Sequence, residues 1–236
     1  MNIKKQKITL FGDSIGKGIM TEGDKLRIAS PTAVRLYEAE YDTGIINASR
    51  FGQTMAKSYE RGVFREYADR LDGDKENVAV IELGGNDCAY FWQNVAKEPD
   101  VFHDSVTPLN NFVRYYDEAI SFLLSKGVRV YCCSLVPIDA KRYFDNVIGK
   151  LCDKNKVLEF FRGDYTTIYR HHELFSGAIT EICHKRRVPV IDLRSPFLNT
   201  LDLSYYLCAD GVHPNERGQK LIYEGVSAFR KNFTAA

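Results

Sequence analysis

Five short apolar runs rich in β-forming residues alternate with longer amphipathic stretches along most of the chain. The runs span residues 8–11, 44–48, 78–83, 128–134 and 188–192. Apolar positions at helical spacing fill residues 30–41, 56–70, 108–126, 166–186 and 215–231. This alternation predicts a parallel sheet with helices on both faces, because the connection between two parallel strands carries a helix across the sheet. We therefore expect an α/β fold.

Small and polar residues follow the first three runs directly. Ser14 comes after the first run, residues 47–52 after the second, and Asn86 after the third. In an open parallel sheet, ligands bind at the carboxyl ends of the strands, beside the point where the strand order reverses. The sequence therefore predicts that these three segments meet at one edge of the sheet.

Length and charge limit what the chain can be. Its 236 residues can form one α/β domain, since single domains of roughly 200–250 residues are common in this class. No linker-like segment or internal repeat divides it, and we expect a single domain over residues 1–236. The 32 basic and 31 acidic residues leave a net charge of +1, which provides no broad field for nucleic acid or an anionic membrane. A small or neutral substrate fits better.

The N-terminal segment and the cysteines bear on location. Residues 1–7 are basic, but the apolar run behind them is shorter than the ~7–15 residues of a signal-peptide core. No stretch approaches the ~20 apolar residues of a membrane span. The six cysteines include no C-x-x-C pair, so we expect reduced, mostly buried thiols and no structural zinc site. Together these features predict a cytoplasmic protein.

The segment Gly12-Asp13-Ser14-Ile15-Gly16 is a candidate nucleophile turn. Its small residues allow a sharp bend between strand and helix and leave the Ser14 hydroxyl accessible. The alternative is an ordinary strand-to-helix loop in which Asp13 or Ser14 caps the helix.

Asp210 and His213 supply a candidate base on a turn closed by Pro214. An Asp three residues before a His can reach the imidazole Nδ1, which leaves Nε2 free to face a serine. The alternative is that Asp210 caps a turn and the His-Pro pair opens the last helix.

Three groups are candidates for an oxyanion hole: the backbone N–H groups of Ser14 and Gly52 and the side-chain amide of Asn86. Acyl transfer develops negative charge on the former carbonyl oxygen, and preorganised donors stabilise that charge. The alternative for the Gly84-Gly85-Asn86-Asp87 string is an ordinary turn.

In combination, the Gly-Asp-Ser string, the 47–52 block, the Gly-x-Asn-Asp string and the Asp-x-x-His string resemble the SGNH or GDSL hydrolase family of esterases and lipases. The resemblance covers nearly the whole chain. It implies Ser14 as nucleophile and oxyanion donor, Gly52 and Asn86 as further donors, His213 as base and Asp210 as its orienting partner. It also implies a three-layer α/β/α fold of flavodoxin-like type with about five parallel strands. No metal or organic cofactor is required for this chemistry.

The substrate is less strongly indicated than the reaction. The family resemblance favours a carbohydrate O-acetylesterase, with a lysophospholipase, an acyl thioesterase or an arylesterase as alternatives and a non-catalytic acyl-binding domain as a third possibility. An apolar trough beside Ser14 would favour the longer acyl groups, and an open cleft with aromatic and polar walls would favour sugar esters. The candidate substrate-binding residues are Asp13, Tyr90, Trp92 and Tyr205. Further candidates for the walls of the site are Lys141, Arg142 and Tyr206.

Three histidines on one predicted helix and the cysteine after Asn86-Asp87 are further candidates for chemistry. His171, His172 and His184 lie among charged residues on a predicted helix, and we expect them on the solvated surface. Cys88 follows the Asn-Asp pair and is expected to be structural.

Overall fold

The computed structural model describes residues 6–23 and 25–234. The strands are β1 (Gln6–Gly12), β2 (Ile19–Glu22), β3 (Lys25–Ile28), β4 (Ile45–Asn47), β5 (Glu76–Glu82), β6 (Arg129–Cys133) and β7 (Val190–Ile191). The helices are α1 (Ser14–Lys17), α2 (Ala33–Tyr41), α3 (Met55–Glu60), α4 (Val63–Ala68), α5 (Trp92–Lys97), α6 (Leu109–Ser125), α7 (Ala140–Tyr143), α8 (Gly149–Leu151), α9 (Lys154–Phe160), α10 (Thr167–Arg186), α11 (Arg194–Leu198) and α12 (Glu216–Thr234). A π-helical turn (Phe144–Ile148) and a 3-10 turn (Leu203–Tyr205) complete the list.

Five parallel strands form the central sheet in the order β4-β1-β5-β6-β7. The chain steps from β1 to β4 on one side and then to β5 on the other, so the strand order reverses at β1. β1 and β5 pair in register from Gln6 opposite Glu76 to Gly12 opposite Glu82. Because the strands are parallel, the loops that follow β1, β4 and β5 leave the sheet at the same edge. The predicted flavodoxin-like α/β/α fold and the predicted edge are confirmed.

The pattern of apolar residues located most elements but missed two features. All five predicted strands are present, and four of the five helical stretches become single helices. Residues 56–70 instead form α3 and α4, which are separated around Gly62 at a φ of +70°. The antiparallel hairpin of β2 and β3 was not predicted, because it is short and has an exposed face. The helix α5 forms after β5, where no helix was predicted.

One face of the sheet packs against α3, α4, α6 and α10 around an apolar core. Phe112 and Tyr116 on α6, Phe175 on α10 and Ile81 on β5 are fully buried in it. Burial of a side chain of this size contributes about 1.5–3 kcal/mol each to folding. This core fixes the positions of β5 and α10, which both contribute residues to the cavity described below.

All six cysteines are free and five of them are buried, as expected. No helix within the described residues is both long and apolar enough to cross a membrane. Residues 1–5 of the basic N-terminal segment lie outside the described residues. The single domain expected over residues 1–236 stays a prediction.

Candidate active site

Ser14 is the first residue of α1, on a tight turn directly after β1. Asp13 caps this helix, with Oδ1 accepting the Ile15 N–H at 2.8 Å. The buried Glu82 at the end of β5 accepts the Gly16 N–H at 3.0 Å and the Asp13 N–H at 3.3 Å. A Cβ at Gly16 would lie 2.9 Å from the Glu82 carboxylate. The turn therefore needs glycine at this position, because any side chain would displace the carboxyl group that holds it.

The side chains of Ser14, His213 and Asp210 form a continuous hydrogen-bonded row. Nε2 of His213 lies 3.0 Å from Oγ of Ser14, and Nδ1 lies 2.7 Å from Oδ2 of Asp210. Ser14 begins α1 directly after β1, whereas His213 lies 199 residues further on, and both it and Asp210 come before α12. An imidazole held between a hydroxyl and a carboxylate can take the hydroxyl proton as the oxygen attacks an electrophile.

Asp210 is stabilised as a carboxylate. Its Oδ2 also accepts the Thr21 hydroxyl at 2.7 Å, and its Oδ1 accepts the N–H groups of Val212 and His213 at 2.9 and 3.0 Å. Burial by itself raises the pKa of Asp210, but the hydrogen bonds and charge of His213, with those from Val212 and Thr21, outweigh it and lower the pKa to about 2. Asp210 therefore remains charged and able to orient the imidazole over the whole neutral range.

The Asn86 amide lies at the edge of the same site. Its Nδ2 donates to Oδ2 of Asp13 at 2.9 Å and to the Gln53 carbonyl at 3.1 Å. The N–H groups of Ser14 and Gly52 donate no hydrogen bond within the described part of the chain. Gly52 has a φ of +66°, a conformation that glycine adopts without strain. The three candidate donors thus follow β1, β4 and β5 in the chain; Ser14 and Asn86 line the cavity described below, Gly52 does not, and the oxyanion hole stays a prediction.

Asp87, next to Asn86, links two of these loops. It is fully buried and accepts the Met55 N–H at 2.7 Å and the Thr107 hydroxyl at 2.6 Å. Burial raises the pKa of Asp87 even though these donors oppose the shift. The carboxyl group anchors the start of α3, and so it fixes the block that carries Gly52 relative to Asn86.

Asp13 and Glu82 form a pair of buried carboxyl groups beneath Ser14. Burial raises the pKa of Asp13 to about 7, although the Ile15 N–H and the His213 charge oppose the shift. Burial and the neighbouring Asp13 raise the pKa of Glu82 well above its ordinary value. Both carboxyl groups therefore bind a proton more tightly than an ordinary exposed carboxylate does.

A cavity of about 220 Å³ opens beside Ser14. Asn86, Asp210 and His213 line it together with Ser14. Apolar and aromatic side chains make up most of its remaining wall; they are Ile15, Phe51, Ala89, Tyr90, Trp92, Leu135, Val136, Ile138, Tyr143, Val147, Ile168 and Val212. The cavity is therefore suited to an apolar group bound beside Ser14.

The sequence matches the GDSL-like lipase/acylhydrolase family over residues 10–221, which is most of its length. The chain belongs to this family. Membership makes it a carboxylic ester hydrolase. A search of curated protein sequences returned no match.

Solved structures of GDSL-like hydrolases share the fold of this chain at low sequence identity. The lipase/acylhydrolase from Enterococcus faecalis is 20% identical, with a TM-score of 0.62 over 97% of this chain and 96% of that one. The psychrotrophic esterase EstA from Pseudoalteromonas sp. is 15% identical, with a TM-score of 0.58 over 98% and 99% of the two chains. The acetyl xylan esterase AlAXEase is 19% identical, with a TM-score of 0.59 over 94% and 98%.

In this GDSL-like hydrolase the predicted wall residues divide into two groups. Tyr90 and Trp92 line the cavity together with Asp13. Tyr205 does not line it, and its half-exposed ring packs against the Arg217 guanidinium at 3.9 Å. The other wall candidates also lie elsewhere: Lys141 pairs with Asp145, Arg142 donates to the Ser204 carbonyl and Tyr206 packs against Phe197.

The expectation that His171 and His172 face solvent was wrong. Both line the cavity, and His172 is only 4% exposed. Their charged neighbours suggested a surface position, but His172 follows Ile168 and precedes Ile179 at helical spacing on the buried face of α10. That periodicity was the signal which could have located it. His184 is exposed, as expected, whereas Cys88, which we expected to be structural, is buried and lines the cavity.

Two residues of the hydrolase site carried no recognisable sequence signal. Thr21 lies in the unpredicted hairpin and reaches Asp210 only in the folded chain. Phe51 is 55% exposed at the mouth of the cavity, with its ring stacked 6.1 Å from the imidazole of His213. It can shield that imidazole from water on one side.

Proposed function

We propose that the protein hydrolyses carboxylic esters through a catalytic triad of Ser14, His213 and Asp210. The observation that carries the proposal is the hydrogen-bonded row from Ser14 Oγ through the imidazole to the Asp210 carboxylate. Oγ attacks the ester carbonyl carbon while Nε2 takes its proton. The imidazolium then protonates the departing alcohol, and an acyl group remains on Ser14. Water, deprotonated by the same Nε2, attacks the acyl carbon and releases the carboxylic acid.

We assign the oxyanion hole to the N–H groups of Ser14 and Gly52 and the amide of Asn86. In the free protein, Asn86 uses its two N–H groups on Asp13 and Gln53. It can serve the oxyanion only by sharing or exchanging one of these bonds, so the substrate oxygen competes with an internal acceptor. The two backbone N–H groups carry no such competition.

The acyl part of the substrate is, in our proposal, apolar and larger than acetyl. The sequence favoured a carbohydrate O-acetylesterase, but an acetyl group would leave most of the roughly 220 Å³ cavity empty. An apolar cavity of about 150 Å³ holds a benzene molecule, and each buried CH₂ contributes about 0.8 kcal/mol. The apolar lining therefore favours the alternative group of lysophospholipases, acyl thioesterases and arylesterases. The cytoplasmic location stays a prediction of the sequence.

The test is the initial rate on p-nitrophenyl acetate, butyrate, octanoate and palmitate, beside acetylated xylo-oligosaccharides, with Ser14→Ala as the blank. We expect kcat/KM to rise from acetate to octanoate and to fall at palmitate, whose chain exceeds the cavity. Fastest cleavage of acetate, with deacetylation of the oligosaccharide, would instead identify a carbohydrate acetylesterase. Absence of any Ser14-dependent rate, and of labelling by a fluorophosphonate, would identify an acyl-binding domain.

A further inference from the structure

Two adjacent histidines on α10 interrupt the apolar lining of the cavity. His171 and His172 share this part of the wall with Ile168 and Tyr90, and the His171 ring lies 5.0 Å from that of Tyr90. Two neighbouring imidazoles are an unusual choice for the wall of an apolar pocket, because an unpartnered polar group there has to be desolvated. Two imidazoles in this position are explained only if they have hydrogen-bond partners or a functional role.

Neither ring is fully satisfied by the protein. Nε2 of His171 and Nδ1 of His172 are buried and have no hydrogen-bond partner among the described residues. A buried donor or acceptor left without a partner costs about 1–3 kcal/mol. Elsewhere in the wall, Trp92 Nε1 donates to the Tyr143 hydroxyl at 3.0 Å, so these two groups already have a partner. A ligand that brings a polar atom to α10 would remove this cost.

The charge state of the two imidazole rings limits which polar group a ligand can place beside them. Burial lowers the pKa of both histidines, and for His172, where the neighbouring Arg194 charge acts in the same direction, the pKa falls to about 3. Arg194 is itself engaged by Glu173, the Tyr169 hydroxyl and the Leu135 carbonyl. A neutral imidazole offers one N–H donor and one acceptor. A hydroxyl both donates and accepts, and so it can pair with either nitrogen of a neutral imidazole. A carboxylate is less suitable, because Arg194, the cation beside His172, is already paired with Glu173.

We propose that the acyl group of the substrate carries a hydroxyl remote from the ester, bound by His171 and His172. The inference rests on the proposed function, since it assumes that acylation of Ser14 directs the acyl group into this cavity. The substrate class is then that of hydroxyacyl esters, with an apolar stretch between the carbonyl and the hydroxyl. The apolar walls contact this stretch, and the two imidazoles form hydrogen bonds with the hydroxyl at its end.

The decisive measurement compares matched ester pairs. p-Nitrophenyl esters of ω-hydroxy acids with six, eight and ten carbons are each assayed beside the unsubstituted ester of equal length. We expect the hydroxy ester of the best-fitting length to have a kcat/KM roughly tenfold higher, the effect of about one hydrogen bond that would otherwise be missing. His172→Phe and, separately, His171→Phe should reduce this ratio to one or below. His184→Phe, on the exposed face of the same helix, is the matched control and should leave the ratio unchanged.

The outcomes separate the two proposals. Ser14-dependent hydrolysis with a ratio near one at every length would overturn the hydroxyl inference and leave the esterase proposal intact. A preference for the hydroxy esters that survives both phenylalanine variants would also overturn it. Should neither ester be hydrolysed, or either variant fail to fold, calorimetry decides. Wild-type protein and Ser14→Ala are then titrated with the hydroxy and unsubstituted free acids, and equal Kd values would contradict the inference.

Discussion

The Asn86 amide donates a hydrogen bond to the Asp13 carboxyl group at 2.9 Å, which joins the proposed oxyanion donor to the residue before the proposed nucleophile. The other Asp13 oxygen caps α1 through the Ile15 N–H. One buried side chain therefore orients both the helix that begins with Ser14 and the amide opposite it. Asp13 is in our view a positioning residue, and a variant that keeps the cap of α1 should affect catalysis only through Asn86.

Asn86→Ala should lower kcat on the order of 10²–10³, the cost of one oxyanion donor. Asp13→Asn should lower it by about tenfold, because one amide oxygen cannot accept from both Ile15 and Asn86 as the carboxyl group does. In the double variant, Asp13→Asn should cause little further loss of kcat beyond that of Asn86→Ala. Single-turnover rates of wild type, the two single variants and the double variant test this. If the two losses multiply in full, Asp13 acts by another route.

Removing the Thr21 hydroxyl should weaken the hydrogen bonding that holds the Asp210 carboxylate of the proposed triad. Thr21→Val deprives Asp210 Oδ2 of one donor and so should raise the pKa of Asp210 and loosen the carboxylate that orients His213. We expect a several-fold fall in kcat with little change in KM, and recovery in Thr21→Ser, which keeps the hydroxyl. Equal rates for the valine and serine variants would show that the contact has no catalytic effect.

The buried Glu82 should make the protein less stable as pH rises. Its folded pKa lies well above the ordinary value of 4.5, so the folded protein binds the proton more tightly than the unfolded chain. Stability is therefore greatest below that value and falls as pH increases above it. Glu82→Gln keeps an oxygen for the Gly16 and Asp13 N–H groups but cannot ionise. Urea unfolding from pH 5 to 8 should show a smaller decline for this variant than for wild type.

The same series needs two comparisons. Glu181→Gln, an exposed position on α10, should follow the wild-type pH dependence. In Glu82→Gln, stability should still decline in part between about pH 4 and 7, because the pKa of Asp13 is raised to about 7. Parallel curves for wild type and Glu82→Gln would mean that Glu82 is ionised in the folded protein.

Gly211 holds the turn between Asp210 and His213 in a form that only glycine allows. Its φ is +74°, and an added Cβ would lie 2.6 Å from the Asp139 carbonyl oxygen. Gly211→Ala should lower the free energy of unfolding by about 1–3 kcal/mol and reduce kcat, since the turn must shift. Gly177→Ala, in α10 with open space around the position, should instead raise stability by about 0.5–1 kcal/mol. Thermal unfolding and esterase rates of both variants provide the measurement.

The sequence alone determined the parallel sheet, its helices and the candidate triad, because these depend on local patterns. Periodicity over a few residues distinguishes strand from helix. The polar strings at the ends of β1 and β5 are visible without knowledge of any contact. Asp210 and His213 are three residues apart, so even their hydrogen bond could be anticipated.

Tertiary structure alone decided what surrounds that triad. Thr21 meets Asp210 across 189 residues, and Glu82 reaches beneath Ser14 from a different strand. His171 and His172 lie beside charged neighbours in sequence but against the cavity in space. Packing selects such partners from across the whole chain, and no local pattern specifies which ones meet. The reaction class was therefore readable from the residues in order, whereas the shape and polarity of the acyl cavity required the folded chain.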